Sequence, residues 1–294
     1  MKNLQQTADF WDQLDTRRPL QFWDLAEVLR YRNKLISGRD NLGFLDWFKQ
    51  CYVKRPFRTG LSLGCGAGEF DRRAWELGIV ENLVGIDVAP HRLKTAQKLS
   101  VGMPLVYIQQ NLNTVQLPHS GYDFCLCKMI LHHIEDLEHL FGELRQSLRP
   151  GGLLYIDEYV GPNRFQFDEN HLKIADEVLQ TIPEELRGLR YDPQSVKKRI
   201  NRINPLVIQS ADPSEALRSS EIDRLLKNHF SVLAEHGTGG SLLFRLLDGI
   251  AHNFNEDITA HKKIIQALCD FEAQLTRQGI LKDIFKVYVV RNDK

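Results

Sequence analysis

Residues 59–69 read Thr-Gly-Leu-Ser-Leu63-Gly64-Cys65-Gly66-Ala67-Gly68-Glu69, and residues 82–87 read Asn-Leu-Val-Gly-Ile86-Asp87. Each is a short apolar run. The first ends in three glycines spaced two apart, the second on an acid. Phe70–Leu77 between them has the spacing of a helix. A strand, a glycine turn and a helix place backbone N–H groups at the carboxyl edge of a parallel sheet, where α/β proteins bind ligands. The dinucleotide fingerprint G-x-G-x-x-G reserves for its third glycine the position that Glu69 holds here. An acid so close to a pyrophosphate repels it. The spacing instead suits a positively charged ligand with no pyrophosphate. Asp87 at a strand end can accept hydrogen bonds from both hydroxyls of a ribose. The simpler alternative makes it a helix cap ahead of Ala89-Pro90.

The same texture continues outward. Pro104–Ile108 and Tyr122–Cys127 read as strands, Pro90–Leu99 and Leu137–Leu148 as helices, and Arg149-Pro150-Gly151-Gly152 as a breaker before a strand at Leu153–Ile156. Strands alternating with helices of about ten residues predict an α/β, doubly wound, mostly parallel sheet. Residues 1–58 carry helical spacing and two Phe-Trp-Asp triplets, Phe10–Asp12 and Phe22–Asp24, and are expected to form N-terminal helices that pack on or cap the sheet. The alternation breaks after Gly161-Pro162. Asp192-Pro193 and Asp212-Pro-Ser-Glu215 both look like helix starts. The expected organisation is a helical segment at 1–58, a Rossmann-like domain at 59–162 and 220–294, and an inserted helical cap at 163–219.

Composition narrows the function. The 38 basic residues balance the 38 acidic ones, which disfavours a dedicated nucleic-acid binder. With 43% hydrophobic and 26% charged residues, disorder and fibrous classes are excluded. Five cysteines without an apolar leader predict free thiols and a cytoplasmic location, and no run is long enough for a membrane span. Cys125 and Cys127 share one face of a strand and read as buried hydrophobes.

Residues 58–160 resemble a class I S-adenosylmethionine-dependent methyltransferase. The resemblance rests on Leu61–Gly68, Val84–Asp87, Tyr122-Asp123 through Leu131-His132-His133-Ile134, and Leu148–Leu153. Asp157–Gln166 is similar to a bacterial subgroup of that family. The resemblance implies a seven-stranded sheet whose last strand is antiparallel, with Phe230–Leu233 and Ile284–Val290 as its last two strands. It implies S-adenosyl-L-methionine as cofactor, with Gly64, Cys65, Gly66 and Gly68 along its methionine portion and Asp87 on the ribose. Val88, Asn111 and Leu112 would lie at the adenine, Asn111 standing where the family often has an acid. Lys128 would face the space between cofactor and acceptor.

Methyl transfer needs alignment, and a base where the acceptor must lose a proton. His132 and His133 follow the fourth strand, and Glu158 and Tyr159 end the fifth, so these four are the expected catalytic residues. The basic stretches Arg187–Arg190 and Lys197–Arg202, and Arg164, read as solvated faces or as docking points for an acidic acceptor. No metal is expected, because His132, His133 and His139 lack the spacing of a metalloprotease helix. The expected function is methyl transfer to the oxygen or nitrogen of a small polar molecule such as a sugar, with no nucleic-acid or membrane partner. The alternatives are an RNA or protein methyltransferase, and a cofactor-binding regulatory module without turnover. Glu69 speaks against a nicotinamide oxidoreductase.

Overall fold

The computed structural model describes residues 2–13 and 21–293, so residues 1 and 14–20 of the N-terminal segment lie outside the described residues. Seven strands make one sheet: β1 Phe57–Leu63, β2 Val80–Asp87, β3 Leu105–Gln109, β4 Tyr122–Lys128, β5 Leu148–Tyr159, β8 Ser231–Gly237 and β9 Phe285–Arg291. Their order is β3-β2-β1-β4-β5-β9-β8. β1 to β5 run parallel, and β9 runs antiparallel to both β5 and β8. The order reverses between β1 and β4, so the carboxyl ends of these two strands flank the crevice where α/β sheets bind ligands.

Side-chain alternation along the strands explains the two layers of helices. In β4, Phe124 and Leu126 point into the core under helices α3 Phe44–Tyr52, α4 Glu69–Glu76 and α5 Pro90–Leu99. Cys125 and Cys127 point to the other face, under α6 Leu137–Ser147 and α9 Ile222–His229. All four are buried, as strands covered on both faces require. The two cysteines lie 3.8 Å apart, sulfur to sulfur, on the shared face that period two assigns them.

A third core sits beyond the carboxyl edge. It joins the N-terminal α2 Ala26–Ser37 to α7 Glu169–Leu179, α10 Leu243–Leu247 and α11 Thr259–Arg277 through residues such as Val28, Leu172, Leu246 and Leu268. Between β5 and β8 the chain also forms a small hairpin, β6 Gly188–Leu189 with β7 Asp192–Val196, and the helix α8 Pro205–Ala211. The first helix, α1 Lys2–Gln13, lies against α5.

Two expected helix starts are not helices. Asp192-Pro193 begins strand β7, where pairing with Gly188 and Leu189 outweighs the local cap signal, and the Asp192 carboxylate accepts from Ser195 Oγ instead. Asp212–Glu215 forms a turn: Asp212 Oδ1 accepts from Ser214 N, and Ala216 then enters the left-handed region at φ 47°. An Asx turn uses the same side-chain acceptor as a helix cap, so the local sequence does not separate the two.

Candidate active site

The glycine turn after β1 is built for close approach. Gly64, Gly66 and Gly68 all have positive φ, at 61°, 52° and 72°. A Cβ at Gly64 would meet Ile130 at 2.4 Å, and one at Gly68 would meet the Tyr107 hydroxyl at 2.3 Å. Gly66 is different: a Cβ there would meet only Arg92 Nη1 at 3.4 Å, so this half-buried glycine is the least crowded of the three. Asp87 braces this glycine. Its Oδ2 accepts from Gly66 N at 2.8 Å and its Oδ1 from Ala89 N at 2.9 Å. Burial pushes the Asp87 carboxyl above its ordinary value, with the backbone N–H bonds opposing. The acid is therefore both the cap of the α5 approach and the tie to the glycine turn.

The other expected cofactor residues follow. Cys65 is half-buried, and burial pushes its thiol far up, so it is a packing group. Val88 O accepts from Gln109 Nε2. Asn111 Oδ1 accepts from Asn113 N at 3.0 Å and from Asn113 Nδ2 at 3.4 Å. Leu112 is in the core. Lys128 Nζ bonds Asp157 Oδ2 at 3.0 Å and sits 3.7 Å above the Phe70 ring.

A second cluster forms where β4 and β5 end. Glu158 is fully buried, behind His132 rather than at an open mouth. Its Oε2 accepts from Ile130 N and Leu131 N at 2.9 and 2.6 Å, and its Oε1 accepts from Tyr159 N and contacts His132 Nδ1. Glu158 thus shapes the loop 129–133 and orients His132. Tyr159 donates its hydroxyl to Pro162 O at 2.9 Å, and its ring packs on Phe165 and Phe285, so it forms a wall.

The turn at 212–216 supplies residues that the sequence reading placed elsewhere. Glu215 Oε1 lies 3.5 Å from His132 Nε2. His133 Nδ1 lies 2.9 Å from Ser214 Oγ and 3.5 Å from Asp212 Oδ2. Leu217 N donates to His132 O, and the Arg164 guanidinium donates to Pro213 O and Glu215 O, both at 2.7 Å. Burial draws the His132 pKa down, but Glu158, Glu215 and Asp212 outweigh it and hold it above the ordinary histidine value. Burial, the neighbouring His132 and Arg164 push His133 well below it. Burial raises the Glu215 carboxyl. Met129, Arg164, Phe165 and Ala216, four of the five described non-glycine residues with positive φ, surround this cluster. Such conformations cost about 1–3 kcal/mol each and persist where the surroundings enforce them, often at functional sites.

Comparison with known proteins agrees with the geometry. A family model described as a methyltransferase domain matches residues 61–156, the span from β1 through β5. Residues 61–156 therefore correspond to a methyltransferase-type domain. The turn crest at Gly66 beside the Asp87 carboxylate is compatible with the nucleoside of S-adenosylmethionine: the glycines would let it approach the backbone, and the acid would face its ribose. The methyltransferase domain is 28% identical over 103 residues to an uncharacterized methyltransferase of Mycobacterium bovis, covering 35% of this chain and 51% of the relative. It is 30% identical over 149 residues to a ubiquinone biosynthesis O-methyltransferase of Cronobacter sakazakii, covering 45% and 59%. The chain thus spans about half the length of these curated relatives. Its fold is similar to that of a phosphoethanolamine N-methyltransferase 2 of Haemonchus contortus, with a TM-score of 0.54 at 15% identity, over 97% of this chain and 60% of that one.

Two further expectations can be placed. The basic stretch is largely paired: Arg199 with Asp176, Arg202 with Glu169, and Lys197 beneath the carbonyls of Arg245 and Asp248. Among the described residues, no helix is long and apolar enough to cross a membrane.

Proposed function

We propose that this protein transfers a methyl group to a hydroxyl or amino group of a small molecule held between the glycine turn and the His132 cluster. The observation that carries this reading is the placement of His132. Its Nδ1 is fixed by Glu158, which leaves Nε2 facing the insertion turn. Bound at the glycine turn, S-adenosylmethionine supplies an electrophilic methyl on a sulfonium. The chain supplies orientation and a place for the acceptor's proton. Gly66 N–H and Asp87 set the nucleoside end. His132 Nε2 takes the acceptor's proton, and Glu158 steadies the resulting imidazolium, an arrangement worth about 10²–10⁴-fold for a hydroxyl acceptor. Tyr159, Phe165 and Phe244 form an aromatic wall nearby, and Arg164 pins the 212–216 turn. The enclosure by residues 163–219 favours a small acceptor over a polymer. The similarity to a ubiquinone biosynthesis O-methyltransferase supports an O-acceptor.

Calorimetry tests the cofactor end. S-adenosylmethionine and its demethylated product should both bind, and NAD should not; the reverse ranking removes the reading. Turnover over a panel of small phenols, sugars and amines then tests the acceptor end by release of the demethylated product.

A further inference from the structure

We propose that His132, His133 and Glu215 form a binding site for one divalent transition-metal ion of the zinc and cobalt class. One nitrogen from each imidazole and a Glu215 carboxylate oxygen all lie within 4.8 Å of one another. The two segments that supply them are remote in sequence and are brought together by the insertion.

Three features favour an ion over a plain hydrogen-bond network. The first is distance. His132 Nε2 and Glu215 Oε1 are 3.5 Å apart, longer than a good hydrogen bond of about 2.7–3.2 Å. Two ligands of a tetrahedral ion with bonds of about 2.0–2.1 Å stand about 3.3–3.4 Å apart. The second is the support behind each imidazole. Metal-bound histidines commonly give their other ring N–H to a carboxylate or similar acceptor. Glu158 stands in that position for His132. Ser214 Oγ stands there for His133: its own proton goes to Asp212 Oδ1 at 2.7 Å, so its lone pair accepts from His133 Nδ1–H. Both rings thereby present Nε2 rather than Nδ1 to the ion. The third is charge. Three carboxylates, Glu158, Asp212 and Glu215, converge here against the one Arg164 guanidinium, whose hydrogen bonds go to main-chain carbonyls. A divalent cation offsets that excess.

Two imidazoles and one carboxylate suit zinc, cobalt or iron better than magnesium or calcium. Three protein ligands leave a position open, as in catalytic rather than structural sites. An acceptor hydroxyl bound there becomes more acidic. In the loaded protein His132 Nε2 would be a ligand rather than the base, and the acidified acceptor would release its proton to solvent. That role rests on the methyl-transfer reading; binding of the ion does not.

The test uses the full chain stripped by a chelator, with zinc chloride in calorimetry and cobalt chloride in visible spectroscopy. The expected result is saturable binding of one ion per chain, weakened by at least about tenfold in Glu215→Gln and in His133→Asn. Cys51→Ser, which removes the exposed thiol, should leave binding unchanged. X-ray absorption of the zinc-loaded wild type guards against variants that fail to fold: a nitrogen and oxygen shell with imidazole scattering supports the site, and sulfur scattering overturns it. Absence of saturable binding, or binding that survives both ligand substitutions, overturns it too. Metal binding without methyl transfer to any acceptor would instead count against the proposed function.

Discussion

Trp11 Nε1 donates to Asp212 Oδ2 at 3.1 Å, joining the N-terminal helix to the insertion turn across the carboxyl edge of the sheet. The same residue reaches the rest of the site. Its carbonyl accepts from Arg92 Nε at 2.8 Å, and Arg92 lies beside Gly66. Its ring stands edge-on to His133 at 5.4 Å. Asp12 adds a second tie, accepting from His91 N and Arg92 N at the start of α5. Helix α1 therefore straps the cofactor side to the acceptor side.

This strap predicts slower cofactor exchange than an open edge would allow. Trp11→Phe keeps an aromatic side chain, smaller than the indole, and removes one hydrogen bond, worth about 0.5–1.5 kcal/mol. Dissociation of S-adenosylhomocysteine, followed by stopped-flow fluorescence, should quicken about twofold to tenfold. An unchanged rate would mean that α1 lies over the edge without gating it.

Asp87 should be intolerant even of its amide. Gly66 N and Ala89 N each use one carboxylate oxygen, and asparagine has a single acceptor oxygen for the two donors. Asp87→Asn should weaken cofactor binding by more than about tenfold in calorimetry and lower the melting temperature as well. A loss of affinity with no loss of stability would assign Asp87 to the ligand alone and remove its bracing role.

These two cases show what a linear sequence can and cannot convey. Gly64, Gly66, Gly68 and Asp87 were legible because their signal is local. Three glycines after an apolar run require positive φ, and an acid ending the next strand of a parallel sheet falls beside them. The parallel, doubly wound character of the sheet followed from alternating periodicity, and its antiparallel last strand from the family resemblance. Asp212 and Glu215 were misread because a side-chain oxygen ahead of free N–H groups has the same local pattern in an Asx turn as in a helix cap. What decides between them is tertiary: Arg164 binding Pro213 O and Glu215 O, and Trp11 arriving from the other end of the chain. The third member of the histidine cluster was for that reason not sought so far from His132. Glu158 was placed at the right strand end, but its saturation by Ile130 N and Leu131 N depends on a loop whose path the sequence does not specify.

Glu158→Gln tests that saturation. Both Glu158 oxygens accept hydrogen bonds, and a glutamine brings an NH2 against at least one backbone donor or against His132. The loop 129–133 loses an acceptor and His132 loses its orienting carboxylate. The turnover number should fall by about 10²-fold or more, while cofactor affinity stays within about threefold. Equal losses in both would move Glu158 to the cofactor side.

Asp71 offers a separate test, by pH. It lies under the glycine turn beside Ser62, 1% exposed, and neither carboxylate oxygen has a well-aligned hydrogen bond. Burial pushes its pKa up to about 7 from an ordinary 3.8, with the Ser62 hydroxyl opposing. Between those two values the folded chain binds a proton that the unfolded chain releases. Asp71 is therefore neutral and harmless in acid, and destabilises the fold as the pH rises from about 4 toward 7. At one pKa unit per about 1.4 kcal/mol, the full cost above pH 7 is on the order of a few kcal/mol. Asp71→Asn removes the charge at nearly constant shape. Urea midpoints should therefore rise in the variant, and rise more at pH 8 than at pH 5. A gain that is the same at both values would show that packing rather than buried charge governs this position.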